Sequence, residues 1–279
     1  MKVQWYPGHM TKARRMMEED IRLVDLVIEI LDARAPLSSQ NPDIDELGKN
    51  KSRLILLNKA DLADERANQR WEEYFKEKGC FVVRTDSRSG ADIKAIHRVI
   101  EKACQEKMER DRKRGILNRP VRAMVVGIPN VGKSTFINTF AGKACTKTGN
   151  RPGVTKGKQW IRLNKKVELL DTPGILWPKF EDQRVGLTLA WIGSIRDEII
   201  NTTELALELM RFFHKSDIYI WKERYKTQEQ EPVQLLEAVA KSRACLLKGG
   251  EYDMDKAAAL FLEDFRSGRL GRITLEFPG

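Results

Sequence analysis

Five short segments of this chain carry residue types whose spacing suits phosphate, a divalent cation and a purine base. Gly127-Ile-Pro-Asn130-Val131-Gly132-Lys133-Ser134, followed by Thr135, fits the pattern GxxxxGK[ST]. In such a loop glycines let backbone N–H groups wrap a β-phosphate, the lysine reaches the β- and γ-phosphates as a point charge, and the hydroxyl ligates Mg²⁺. Asp171-Thr-Pro-Gly174 offers a carboxylate that can hold the same ion through water and a glycine N–H for the γ-phosphate. Arg151-Pro-Gly-Val-Thr155-Lys-Gly lies between the two, and the Thr155 hydroxyl would complete the metal shell as a switch residue. Asn58-Lys59-Ala60-Asp61 supplies base chemistry. The Asp61 carboxylate can accept from guanine N1–H and the exocyclic amine, a pair that adenine lacks. Asn58 would tie loops together, and Lys59 would lie along the base plane. The backbone N–H groups of Ser87-Arg88-Ser89-Gly90 could meet guanine O6. The five segments together imply GTP or GDP with Mg²⁺.

These residues must be delivered by strand ends, because a nucleotide of this kind sits at the carboxyl edge of a parallel sheet. The pattern predicts strands over Leu26–Ala33, Arg53–Asn58, Phe81–Thr85, Arg122–Gly127, Lys158–Leu163 and Lys166–Asp171. It predicts helices over Thr11–Val24, Asp64–Lys78, Ala91–Arg114 and Lys133–Gly142. Alternation of this sort is an α/β fold, a mostly parallel sheet with helices on both faces. The last two strands, separated only by Asn164–Lys165, are expected to be antiparallel. After Pro178 the pattern turns helical, with Thr203–His214, Pro232–Lys248 and Asp255–Ser267 spaced as amphipathic helices. The expected organisation is a nucleotide-binding domain over 1–178 and a small all-helical domain over 179–279.

Of the 279 residues, 50 are Lys or Arg and 40 Asp or Glu, a net charge of +10. The excess is uneven: residues 1–178 carry 35 basic against 23 acidic side chains, residues 179–279 carry 15 against 17. Lys107–Arg122 and Gly142–Val167 concentrate the positive charge, which favours a polyanion, most simply nucleic acid. The four cysteines and three histidines are scattered without metal-ligand spacing, which disfavours a zinc knuckle and a disulfide framework and suits a reducing cytoplasm. No apolar run reaches membrane-spanning length, and the amino-terminal stretch is too polar for a signal peptide.

The five segments resemble the motifs of Ras-like GTPases, but the base-reading pair precedes the phosphate loop, so the order is circularly permuted. With Trp5-Tyr-Pro-Gly-His9-Met10, Asp32-Ala-Arg-Ala-Pro36 and Pro129-Asn-Val-Gly-Lys-Ser134, the whole chain resembles the ribosome biogenesis GTPase A family. The resemblance implies a monomeric cytoplasmic GTPase that assists late assembly of the large (50S) ribosomal subunit. It would engage rRNA and ribosomal proteins in the GTP state and leave on hydrolysis. Two other classes remain open: a nucleotide-gated RNA-binding placeholder in which hydrolysis matters little, and a protein-signalling switch without RNA.

Ras-like enzymes orient the attacking water with a glutamine directly after DxxG, where this chain has Ile175. The resemblance points to His9 as the group that could replace it, and the alternative is that His9 only tethers the amino-terminal segment. Asn130 resembles the asparagine of GTPases that use a potassium ion in place of an arginine finger, against the alternative of an asparagine suited to loop geometry. In the helical stretch Lys256, Arg266, Arg269 and Arg272 are candidate RNA contacts, with a solvated face as the other reading.

Overall fold

The computed structural model describes residues 10–116, 119–142, 159–163, 166–172, 182–195, 197 and 200–279. Its centre is a six-stranded sheet of β1 (Leu26–Asp32), β2 (Ser52–Asn58), β3 (Phe81–Thr85), β4 (Val121–Val126), β5 (Gln159–Arg162) and β6 (Val167–Asp171), in the order β3-β2-β1-β4-β6-β5. All neighbours are parallel except β5 and β6, which are antiparallel as their short separation predicts. β1 reads LVIEILD and is buried at every position, the signature of a strand covered on both faces. One face packs Met17, Ile21, Val24, Ile44 and Leu47 over Val27, Met124, Val126 and Leu170. The other packs Ala67, Trp71 and Phe75 over Leu31, Ile55, Leu57 and Val82.

The helices of this part are α1 (Met10–Ile21), α2 (Pro36–Ser39), α3 (Pro42–Leu47), α4 (Glu65–Glu77), α5 (Ile93–Ala103), α6 (Gln105–Lys113) and α7 (Lys133–Ala141). Asp64 starts α4 by accepting from the N–H of Ala67 at 2.8 Å, and Gly142 ends α7 in the left-handed conformation. The single helix expected over Ala91–Arg114 is two. α5 buries Ile96, Ile100 and Ala103, whereas α6 buries nothing, and the break falls at the buried Cys104, where the apolar face runs out. The short helices α2 and α3 have no counterpart in the periodicity, because four to six residues cannot display a helical period; Pro36 and Pro42 start them instead.

The chain divides into two compact units. Among the described residues one comprises 10–172 together with Thr274–Gly279, and the other runs from Asp182 to Ile273. The second unit holds α8 (Gln183–Trp191), α9 (Thr202–Lys215), α10 (Trp221–Tyr225), α11 (Pro232–Ser242) and α12 (Met254–Arg266). Asn201, Glu231 and Asp253 cap α9, α11 and α12 with their side-chain oxygens. Phe213 sits at its centre against Trp221, Phe261 and Phe265. The helix expected to reach Lys248 stops at Ser242, and Ala244 beyond it takes a positive φ. No helix among the described residues is long and apolar enough to cross a membrane.

Candidate nucleotide site

The chain runs from β1 outward through β2 to β3, returns to β4 beside β1, and then goes to the far edge at β5 and back to β6, which lies between β4 and β5. The crevice at the carboxyl ends of β1 and β4 is therefore the point where strand order reverses, the usual ligand position in an open α/β sheet. The phosphate-loop residues leave β4 and enter α7 there. Register sets the partners level with them: Asp32 opposite Asn58 across β1 and β2, and Val125 opposite Asp171 across β4 and β6.

Within the loop Asn130 takes φ +64° and Gly132 φ +96°, left-handed residues on either side of Val131, an alternation of the kind that turns N–H groups toward an anion. Gly132 has a second reason to be glycine, since a Cβ there would collide with Asn58 Nδ2. That amide donates to the Val131 carbonyl at 2.6 Å, while Asn58 Oδ1 accepts from the N–H of Ser87 at 2.9 Å. One side chain thus joins the phosphate loop to the serine loop, as its position in the tetrapeptide predicts. Ser89 Oγ donates to the Asp86 carbonyl. Lys59, itself left-handed at φ 58°, donates from Nζ to the Asn130 carbonyl at 2.7 Å and to Asp32 at 2.8 Å. Asp61 lies on the short 3-10 turn Ala60–Leu62, where its carboxylate meets Arg88 Nη2 at 2.7 Å. That pair is substantially exposed and so readily exchanged for another donor.

Lys133 is buried and its ammonium contacts Asp171 Oδ1. Burial pulls the Lys133 pKa down, and the Asp171 carboxylate opposes that pull. The other carboxylate oxygen, Asp171 Oδ2, is buried with no hydrogen-bond partner among the described residues, and Ser87 Oγ is in the same condition. An unpaired buried carboxylate oxygen is costly, so a cation or its water fits there. Ser134 is the second residue of α7, and Thr135 follows it. Among the described residues no group of three His, Cys, Asp or Glu side chains could cage a metal without outside ligands. Mg²⁺ bound mainly by phosphate, one hydroxyl and one carboxylate is consistent with that. When bound, it would neutralise charge on the β- and γ-phosphates. His9, Thr155, Gly174 and Ile175 lie outside the described residues.

The candidates in the helical unit are not equivalent. Lys256 and Arg272 are exposed. Arg266 is turned inward, donating to Asp197 and to the carbonyls of Ala190 and Trp191. Arg269 contacts Asp264, where Arg224 and Arg243 also converge. Neither Arg224 nor Arg243 stands out in the sequence. Asp32 and Arg34, whose bonds reach Lys59, were legible there only as a family signature.

Phosphate loop, second carboxylate, base-reading tetrapeptide and sheet order together define a P-loop GTPase. Read from β4, the strands run β4, β5, β6 and then β1, β2, β3, so the chain is a circular permutation. The model of the family described as "50S ribosome-binding GTPase" matches residues 122–247, beginning on the strand before the phosphate loop. A Bacillus cereus protein named ribosome biogenesis GTPase A is 50% identical, covering 100% of this chain and 95% of its own length. The Thermotoga maritima protein of the same name is 35% identical over 99% of this chain and 95% of its own. A crystal structure of GNP-bound YlqF from T. maritima superposes with a TM-score of 0.70 at 32% identity, covering 96% of this chain and 98% of that one. The chain belongs to the ribosome biogenesis GTPase A family: it is a GTPase of ribosome biogenesis.

Proposed function

We propose that this GTPase acts in assembly of the large ribosomal subunit, engaging rRNA-containing particles in its GTP state and leaving after hydrolysis. The observation that carries the reading is the joining of a guanine-nucleotide site to a strongly basic GTPase unit, in a chain alike over its whole length to assembly GTPases. The description "50S ribosome-binding" belongs to the matching family and supports the choice of subunit. In this reading 1–178 together with the tail Thr274–Gly279 is the GTPase domain, and the expected helical RNA-binding domain, taken from the sequence as 179–279, ends at Ile273, the protein working as a cytoplasmic monomer. Lys256 and Arg272 are exposed on the helical unit, and with Arg269 they are the side chains this reading assigns to phosphate.

Asp61 reads guanine, with Asn58, Lys59 and the Ser87-Arg88-Ser89 loop around it. The N–H groups of Asn130, Val131, Gly132 and Thr135 and the Lys133 ammonium hold phosphate. Ser134, Asp171 and Thr155 hold Mg²⁺, and the Gly174 N–H meets the γ-phosphate. In this reading Asn130 would hold K⁺, and His9 would orient the attacking water in the role that Ile175 cannot serve. The test is GTP turnover by the pure protein in K⁺ and in Na⁺, with and without purified 50S subunits. Stimulation by subunits, greater in K⁺, is expected. Tight GTP binding without stimulation would overturn the ribosomal trigger and leave the nucleotide site standing.

A further inference from the structure

Asp32 ends β1 with its carboxylate fully buried, and its contacts converge on Lys59. Oδ1 accepts from Arg34 Nε at 2.9 Å and from the Arg34 backbone N–H at 3.1 Å. Oδ2 accepts from Arg34 Nη2 at 2.8 Å and from Lys59 Nζ at 2.8 Å. Burial would raise the Asp32 carboxyl, but the Arg34 guanidinium and the Lys59 ammonium hold it well below the usual carboxylate range. The anion is therefore fixed in place, and Lys59 spans from it to the Asn130 carbonyl of the phosphate loop. An ammonium carries three donors on a flexible four-carbon stem, so without an anchor its direction would be loose.

The backbone that carries Arg34 is braced by the far end of the chain. The N–H of Leu275 donates to the Arg34 carbonyl at 2.7 Å. The Glu276 carboxylate accepts from the N–H groups of Leu37 at 2.9 Å and Ser38 at 3.1 Å, and from the Ser38 hydroxyl. Trp71 Nε1 donates to the Glu276 carbonyl at 3.0 Å, and the N–H of Asp64 to Thr274 Oγ1 at 3.0 Å. Thr274 and Leu275 are 3% and 2% exposed, so these last residues are seated in the GTPase unit rather than laid over it. They follow directly on Ile273, the last residue of the helical unit.

We propose that Asp32 is the positioning residue for Lys59, and that the carboxy-terminal tail, through Leu275 and Glu276, sets how firmly Lys59 is held on the phosphate loop. Displacing the tail frees the Arg34 backbone, loosens the Asp32 anchor and speeds nucleotide release. The tail then serves as the covalent route by which load on the helical unit reaches the nucleotide. The inference rests on GTP and GDP binding and not on which particle the protein engages.

The experiment is a double-mutant cycle on the full chain loaded with a fluorescent GDP analogue, reading its release rate beside thermal melting. Glu276→Ala is expected to speed release about five- to tenfold, and Lys59→Ala by more. The double variant should release no faster than Lys59→Ala alone, because the tail acts only through Lys59. Asp32→Asn, which keeps shape but removes charge, should also lose its effect in the Lys59→Ala background. A tail that merely stabilises the fold would lower the melting temperature and multiply its effect with that of Lys59→Ala, and this result would overturn the proposal. So would unchanged release in a folded Glu276→Ala. Should Glu276→Ala not fold, Glu276→Gln, which retains an acceptor and the volume, is put through the same cycle and read in the same way. Loss of ribosomal stimulation would not enter any of these readouts.

Discussion

Two buried carboxylates, one in each unit, are treated in opposite ways. In the GTPase unit Asp171 gives one oxygen to Lys133, and the other has no partner among the described residues. In the helical unit Asp264 is saturated: Oδ1 takes Arg224 and Arg269, while Oδ2 takes Arg224, Arg243 and Tyr225. The first arrangement leaves an acceptor open to a cation or its water; the second ties α10, α11, α12 and the following turn into one body. Charge pairing therefore does not by itself mark a site. Nor does an open buried atom alone, since Arg53 Nε, Asn68 Oδ1 and Ser194 Oγ also lack partners among the described residues; Asp171 Oδ2 differs from these in lying beside the phosphate-loop lysine.

Lys133 separates the two arrangements by the largest effect. Lys133→Ala should cost about two to three orders of magnitude in kcat/KM for GTP, since it removes a preorganised charge from the transferring phosphate. Because the buried Asp171 carboxylate is then left unpaired, the nucleotide-free variant should also melt lower, and a loss of stability with turnover preserved would make Lys133–Asp171 a structural pair like the others. Asp264→Ala should do the reverse, lowering unfolding free energy by about 2–3 kcal/mol while nucleotide affinity holds. The cost is below that of a fully buried pair because the guanidiniums of Arg224, Arg243 and Arg269 are 27%, 33% and 43% exposed. Burial opposes ionisation of Asp264, but its arginines win and hold its pKa down at about 2. The stabilisation is thus present above the ordinary carboxylate pKa and is lost as pH falls through about 2, which acid titration of unfolding in wild type and Asp264→Ala would reveal.

Glu29 sharpens the contrast from the other side. It is buried beside one arginine, Arg53, which it shares with Asp45, and burial raises its pKa to about 7 despite that partner. The folded state then binds the proton more tightly than the unfolded state. Stability should fall as pH rises from the ordinary carboxylate range through about 7, with a slope of at most about 1.4 kcal/mol per pH unit. Glu29→Gln should flatten that slope in denaturant titrations, and an unchanged slope would assign the titration elsewhere. The smallest effect is expected at the exposed Arg88–Asp61 pair: Arg88→Ala should change GTP affinity less than about threefold. A larger loss would make Arg88 a direct contact of the nucleotide.

Much of the GTPase unit was legible because its signals are local. Most of the strands are apolar runs bounded by turn residues, β5 with only Ile161 buried being the exception, and four of the motifs begin at the end of one, so Asn58, Asp61, Lys133 and Asp171 could be read in place. Cys104 was not legible as a break, because α6 continues the helical propensity of α5 without its buried face. Arg266 and Arg269 read as surface cations because a guanidinium's partner is invisible in sequence when it lies on another element. In the structure those partners are Asp197 and Asp264.

By itself, then, the sequence determined the α/β class, the permuted motif order and the chemistry each motif can perform, because these depend on residue type and short spacing along the chain. Tertiary structure decided which pairings are closed and which are left open. It placed Gly132 against Asn58, hung Lys59 between Asp32 and the phosphate loop, and returned Leu275 and Glu276 to Arg34 and α2. Those contacts join residues up to 241 positions apart, counting from Arg34 to Leu275, and no spacing rule reaches that far. Only the folded sheet, which sets strand ends side by side regardless of chain order, brings them together.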